Sequence, residues 1–151
     1  MTITNHVTTG ALIAAVISQP LIALPLAFMS HFVLDALPHF GYKQGGFSYF
    51  FRQRLSWVVF LTDISIFVGI SVWLLPDFWW AYLLGLVAVS PDFIWGFRYL
   101  VFERRGKAPW PDDSFTQLHA KIQTMERPWG ILIEIVFAVL MLSLLYSQIG
   151  Q

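Results

Sequence analysis

Apolar residues fall into five runs separated by short breaks. The first covers about Val7 to Ser18, although Ile3 to Gln19 can all be helical, and Gln19-Pro20 closes it. The second, Pro20 to Pro38, carries Pro25 as an internal kink. The third covers Leu55 to Leu75 and stops at Pro76-Asp77; the fourth covers Phe78 to Gly96, and the fifth Gly130 to Ser147. A bilayer-crossing helix needs about 20 mostly apolar residues. Runs three to five meet that length, run two is adequate, and run one is marginal and reads as a half-buried helix. In the polar connection at 98–128, Ser114-x-x-Gln117 has capping-box spacing. Phe115, Leu118, Ile122 and Met125 follow on one helical face, with Lys121 and Gln123 away from it. The pattern predicts an all-α polytopic membrane bundle forming one domain over 1–151. It has about five hydrophobic helices and one amphipathic surface helix.

Composition strengthens the membrane reading. Only 12% of residues are charged, against roughly 25% in soluble domains. Seven Trp, five Tyr and fourteen Phe suit interfacial aromatic belts. All nine Lys and Arg lie in two connections: Lys43, Arg52 and Arg54 in one, and Arg98, Arg104, Arg105, Lys107, Lys121 and Arg127 in the other. The positive-inside rule puts both on the cytoplasmic side. The N-terminus is then cytoplasmic, and Phe78-Trp79-Trp80 lies at the outer interface. No Lys or Arg precedes the first apolar run, so the N-terminus does not read as a cleaved signal peptide. The formal net charge of zero gives no reason to expect a nucleic-acid partner. The chain has no Cys, so any metal site must use His and carboxylate.

Ionisable residues within apolar runs are costly in lipid and mark function. Here they are His6, His31, Asp35, His39, Asp63, Asp92 and Glu134, with His119 on the apolar side of the surface helix. The expected topology sets all of them in the cytoplasmic half or near mid-depth. His31, Asp35 and His39 are spaced i, i+4, i+8, within about 80° of helical arc and about 6 Å apart in rise. Asp35 could then bridge two ions, with a His serving each, and two-metal hydrolytic centres hold their ions about 3.5–4 Å apart. Nitrogen and oxygen donors suit zinc, manganese or iron. Candidate ligands are His6, His31, Asp35, His39, Asp92 and His119. Asp63 and Glu134 are candidates for a catalytic base or for orienting a ligand. Glu134 could instead pair with an Arg, Asp35 and His39 could cap a helix end, and a lone His such as His6 could join two helices by a hydrogen bond.

Ser30-His31-Phe-Val-Leu-Asp35-Ala-Leu-Pro-His39-Phe-Gly41 resembles the SHxxLDxLxxxG stretch of bacterial inner-membrane metal-dependent hydrolases of the LexA-linked type. His6 and Gly10 resemble that family's early His followed by Gly, and Pro91-Asp92 resembles its Pro-Asp pair at a membrane boundary. The His-x3-Asp row is also similar to the HYxxD motif of zinc-dependent phospholipases C. The family's HRGxTH motif has no counterpart beyond Gln117-Leu118-His119, and the SHxxLD element stands earlier here than in the family. The resemblance implies a multi-pass protein of the bacterial inner membrane. It carries metal-ligand roles to His31 and Asp35, and then to His6, His39, Asp92 and His119.

The expected function is hydrolysis of a phosphoester or lipid-type ester by two or more divalent ions, most simply zinc. The bilayer and a small-molecule or lipid substrate are the expected partners. Two other classes use the same residues: a proton or divalent-metal transporter, and a non-catalytic membrane scaffold with a structural site.

Overall fold

The computed structural model describes residues 1–42, 49–103 and 114–149. Lys43, Arg104, Arg105, Lys107 and the Pro111–Asp113 approach to the surface helix lie outside the described residues. Among these residues six α-helices form: α1 (Ile3–Val16), α2 (Pro20–Asp35), α3 (Arg54–Leu74), α4 (Trp79–Arg98), α5 (Ser114–Ile122) and α6 (Ile131–Ile149). A π-helical turn, Tyr99–Glu103, continues α4, and a 3-10 turn, Pro128–Gly130, leads into α6.

Among the described residues, three stretches are long and apolar enough to cross a membrane: Arg54–Leu74, Trp79–Phe102 and Pro128–Ile149. The expectation of five spanning helices is thus supported for three. α1 has 14 residues and α2 has 16, which gives about 21 and 24 Å of rise against a hydrocarbon core of about 30 Å. α2 stops at Asp35 because Pro38 disfavours helical geometry in the residue before it. Residues that cannot face water cover the outside: Val58, Leu61, Val68 and Val72 on α3, and Leu132, Val136 and Val139 on α6, are each more than half exposed. Contiguous apolar surface of this kind belongs against lipid.

The marginal first run forms the centre. α1 packs mainly on α4 and α6, and also on α2 and α3. Its polar face explains this position: Thr4, Asn5, His6 and Thr8 are all buried, and such groups find partners only inside the bundle. Close approach of α1 and α4 depends on two glycines. A Cβ on Gly10 would fall 2.3 Å from the Leu84 carbonyl oxygen, and one on Gly85 would fall 2.8 Å from a Val7 methyl. Small residues let helix backbones meet in this way without a hydrophobic driving force. Away from the polar end, Ala11, Ala14, Ala23, Ala27, Leu74 and Leu84 fill the core.

Candidate metal centre

The polar residues of four helices meet at one end of the bundle. His31 and Asp35 are one turn apart on α2, and their Nε2 and Oδ2 atoms are 3.1 Å apart. α4 contributes Asp92, whose Oδ1 is 3.6 Å from His31 Nε2. His119 of α5 places Nε2 2.9 Å from Asp35 Oδ2 and 3.0 Å from His31 Nε2. These four residues each offer a donor atom within 4.8 Å of the others. Ligands about 2.0–2.2 Å from a zinc ion stand roughly 3.0–3.5 Å from one another. The group could therefore hold a metal ion. His31, Asp35 and His119 are buried, while the Asp92 side chain is 28% exposed and forms the open side.

Hydrogen-bond partners assign the protons. His31 Nδ1 is 2.9 Å from the Ala88 carbonyl oxygen. A carbonyl only accepts, so Nδ1 carries a proton, and in the neutral ring Nε2 presents a lone pair toward the two carboxylates. Pro91 shapes this part of α4. It has no N–H for the Val87 carbonyl, and the Ser90 hydroxyl donates there instead at 2.8 Å.

His6, from α1, stacks on His31 with ring centroids 4.1 Å apart. Its Nε2 lies 3.3 Å from Asp35 Oδ1 and 3.8 Å from Asp92 Oδ2. The ring is fully buried, and among the described residues neither nitrogen meets a partner in hydrogen-bond geometry. Asp35 and Asp92 thus each turn one oxygen toward His31 and the other toward His6. The Met1 amino group donates to Asp35 Oδ1 at 2.6 Å.

The remaining candidates stand apart from this cluster. His39 leaves the i, i+4, i+8 row because α2 ends at Asp35. Its Nδ1 donates to the Leu37 carbonyl at 2.8 Å, and its Nε2 is 4.0 Å from Glu126 Oε1. Backbone pairing with the Glu126 segment fixes it: Arg127 N–H donates to the His39 carbonyl at 2.9 Å. Burial, with the Met1 ammonium nearby, lowers the His39 pKa to about 4. Burial raises that of Glu126. His39 thus lies away from the cluster, and His6 stands beside Asp35 instead.

Asp63 caps α1 from α3. Its Oδ2 accepts the Ile3 N–H at 2.9 Å and its Oδ1 the Thr4 N–H at 3.0 Å. Thr2, at the N-cap position, makes no side-chain cap. A carboxylate there satisfies two orphan donors and complements the helix dipole. Glu134 tethers chain segments as well: Oε1 accepts Phe40 N–H at 3.1 Å, and its backbone carbonyl accepts the Asn5 amide at 3.2 Å. Asp63 and Glu134 thus stand apart from the cluster, holding α1 and the post-α2 segment around it.

Two contributors escaped the sequence reading. Gln123, read as pointing away from the bundle, donates to Asp35 Oδ2 at 2.8 Å. Trp95 Nε1–H donates to His119 Nδ1 at 2.8 Å. Spacing could have flagged both, since Gln123 is i+4 from His119 and Trp95 is i+3 from Asp92. No protein-family model, curated protein or solved structure matches this chain.

Proposed function

We propose that the chain is a membrane-embedded metal-dependent hydrolase acting on a phosphoester or lipid-type ester. One observation carries this reading. His31 Nε2 faces Asp35 Oδ2 at 3.1 Å and Asp92 Oδ1 at 3.6 Å. An imidazole nitrogen and two carboxylate oxygens converging at such distances form a donor set that suits a cation. Nitrogen and carboxylate donors without sulfur suit zinc, manganese or iron. A second ion would take His6 Nε2, Asp35 Oδ1 and Asp92 Oδ2, and would require the Met1 ammonium to leave Asp35.

Such an ion supplies a Lewis acid and brings the pKa of water down to about 7. The protein's part is to fix the donors. The Ala88 carbonyl orients His31, Gln123 holds Asp35, and partly exposed Asp92 leaves the way in. The basic connections favour the cytoplasmic side, and a site at the end of the bundle suits an ester at headgroup depth. A transporter would need a polar path onward, whereas the packing beyond the cluster is Ala11, Ala14, Ala27, Leu84 and Leu145.

The test is hydrolysis of a nitrophenyl phosphodiester and of phospholipid vesicles by the purified, zinc-supplemented protein. Turnover that falls at least about a hundredfold in Asp35→Asn supports the reading, in line with losing a group central to charge stabilisation. Equal turnover in the two proteins sinks it.

A further inference from the structure

His119 differs from His31 in one respect that changes its chemistry. His31 Nδ1 meets a carbonyl oxygen, which only accepts, whereas His119 Nδ1 meets the Trp95 indole N–H, which only donates. His119 Nδ1 must therefore present its lone pair, and the ring proton sits on Nε2. That proton lies among the acceptors of the cluster, 2.9 Å from Asp35 Oδ2 and 3.0 Å from His31 Nε2. A run of donors in one direction results, from Trp95 to His119 to His31 to the Ala88 carbonyl. The His119 ring also packs against Phe32 and Phe115, with ring centroids 5.4 and 6.1 Å away.

A nitrogen bearing a proton cannot give its lone pair to a metal. We propose that Trp95 is a positioning residue that holds His119 in its Nε2–H form. His119 is thereby kept out of the ligand set, and its place on the ion is left open for water or substrate. This inference rests on the metal-hydrolase reading above. The ion then takes His31, Asp35 and Asp92 from the protein, and three protein ligands with an open position is the pattern of catalytic zinc sites. His119 Nε2–H becomes a neutral donor to a substrate oxygen on which negative charge develops, and no proton transfer is required of it. If Trp95 is replaced, Nδ1 can take the proton, Nε2 can ligate, and the site closes toward a structural, four-ligand form.

The experiment uses the full chain in detergent with histidine labelled in 15N, and long-range 1H–15N spectra without and with zinc as the only added metal. Trp95 acting as proposed gives His119 in the Nε2–H form in both states, with His31 in the Nδ1–H form and its Nε2 signal shifted by zinc. Trp95→Phe then switches His119 to Nδ1–H and tightens zinc binding by about tenfold, the lower end of effects seen for groups that orient metal ligands. His119→Gln keeps zinc binding within about threefold of wild type, whereas His31→Gln loses at least about tenfold. This pair decides the matter if Trp95→Phe does not fold. Nδ1–H on His119 in the wild type, or loss of zinc in His119→Gln equal to that in His31→Gln, overturns the proposal. Failure of zinc to bind or to move His31 would remove the metal reading itself. The zinc-free tautomer of His119 would still decide whether Trp95 sets its proton.

Discussion

Asp63 separates a structural from a chemical role, because its two oxygens do one identifiable job. They accept the Ile3 and Thr4 N–H groups at the start of α1. Asp63→Ala removes both acceptors. Thr4 is 2% exposed and its N–H is left unsatisfied, while Ile3 is only partly buried and can recover some solvation. An unsatisfied buried donor costs about 1–3 kcal/mol, and losing a negative charge at a helix N-terminus costs about 0.3–1 kcal/mol. Together these give a destabilisation of roughly 1–4 kcal/mol. Asp63→Asn keeps one oxygen acceptor and should lose about half of that. Reversible unfolding in mixed micelles with rising SDS measures both. Zinc binding, measured in the same preparations, should stay within about threefold of wild type, the expectation for a group that does not orient a ligand. His31, Asp35, Asp92 and His119 come from α2, α4 and α5, and none comes from α3. An Asp63→Asn protein that is as stable as wild type but has lost zinc or hydrolysis would refute the capping account and return Asp63 to the chemistry.

Three further outcomes are expected. His39 has a folded-state pKa of about 4 against an ordinary value of 6.5, so the unfolded chain binds the extra proton between these values. Its contribution to stability therefore grows as pH rises from 4 to 6.5, by up to about 3 kcal/mol. Glu126 acts in the opposite sense, so the measurement is the difference between wild type and His39→Gln in denaturant midpoint across that window; a constant difference would be the contrary result. Gly10→Ala should destabilise by about 1–3 kcal/mol through overpacking against the Leu84 carbonyl. Gly69→Ala, where an added Cβ meets nothing within 4 Å, should be neutral or stabilising by up to about 1 kcal/mol; equal losses in the two would contradict the helix contact. Cysteines placed at Lys43 and Asp77 should respectively resist and accept an impermeant thiol reagent in intact cells, and the reverse pattern would invert the orientation.

Apolar runs read well because burial in lipid selects long, uniform segments. Runs three to five agree with α3, α4 and α6 to within about two residues, the usual uncertainty of helix ends. The surface helix covers Ser114–Ile122 among the described residues, with His119 buried as its apolar face implies. α1 was harder to place: fourteen residues with Thr4, Asn5, His6 and Thr8 make a weak hydropathy signal, although those polar groups are what require a central position. The break in the row before His39 was legible, since Pro38 marks the end of the helix on which the i, i+4, i+8 spacing depended. Convergence of His31, Asp35, Asp92 and His119 followed from topology and depth. Which ionisable group caps a neighbouring helix does not, because Asp63 meets α1 through packing across about 60 positions of chain. Tautomers were likewise out of reach, as they depend on the partners Ala88 and Trp95 found only on folding.

Metal content tests the central claim most directly. The full chain is purified in detergent without chelator, equilibrated with zinc and freed of unbound ion, and its metal is counted by mass spectrometry beside His31→Gln, Asp35→Asn and Asp63→Asn. The account predicts one to two ions per chain in the wild type, on the order of what one carboxylate-bridged cluster can hold. It predicts loss in the first two variants and retention in the third. A wild-type protein that stays metal-free after zinc and manganese are supplied, or that binds equally well with His31 and Asp35 replaced, would contradict it.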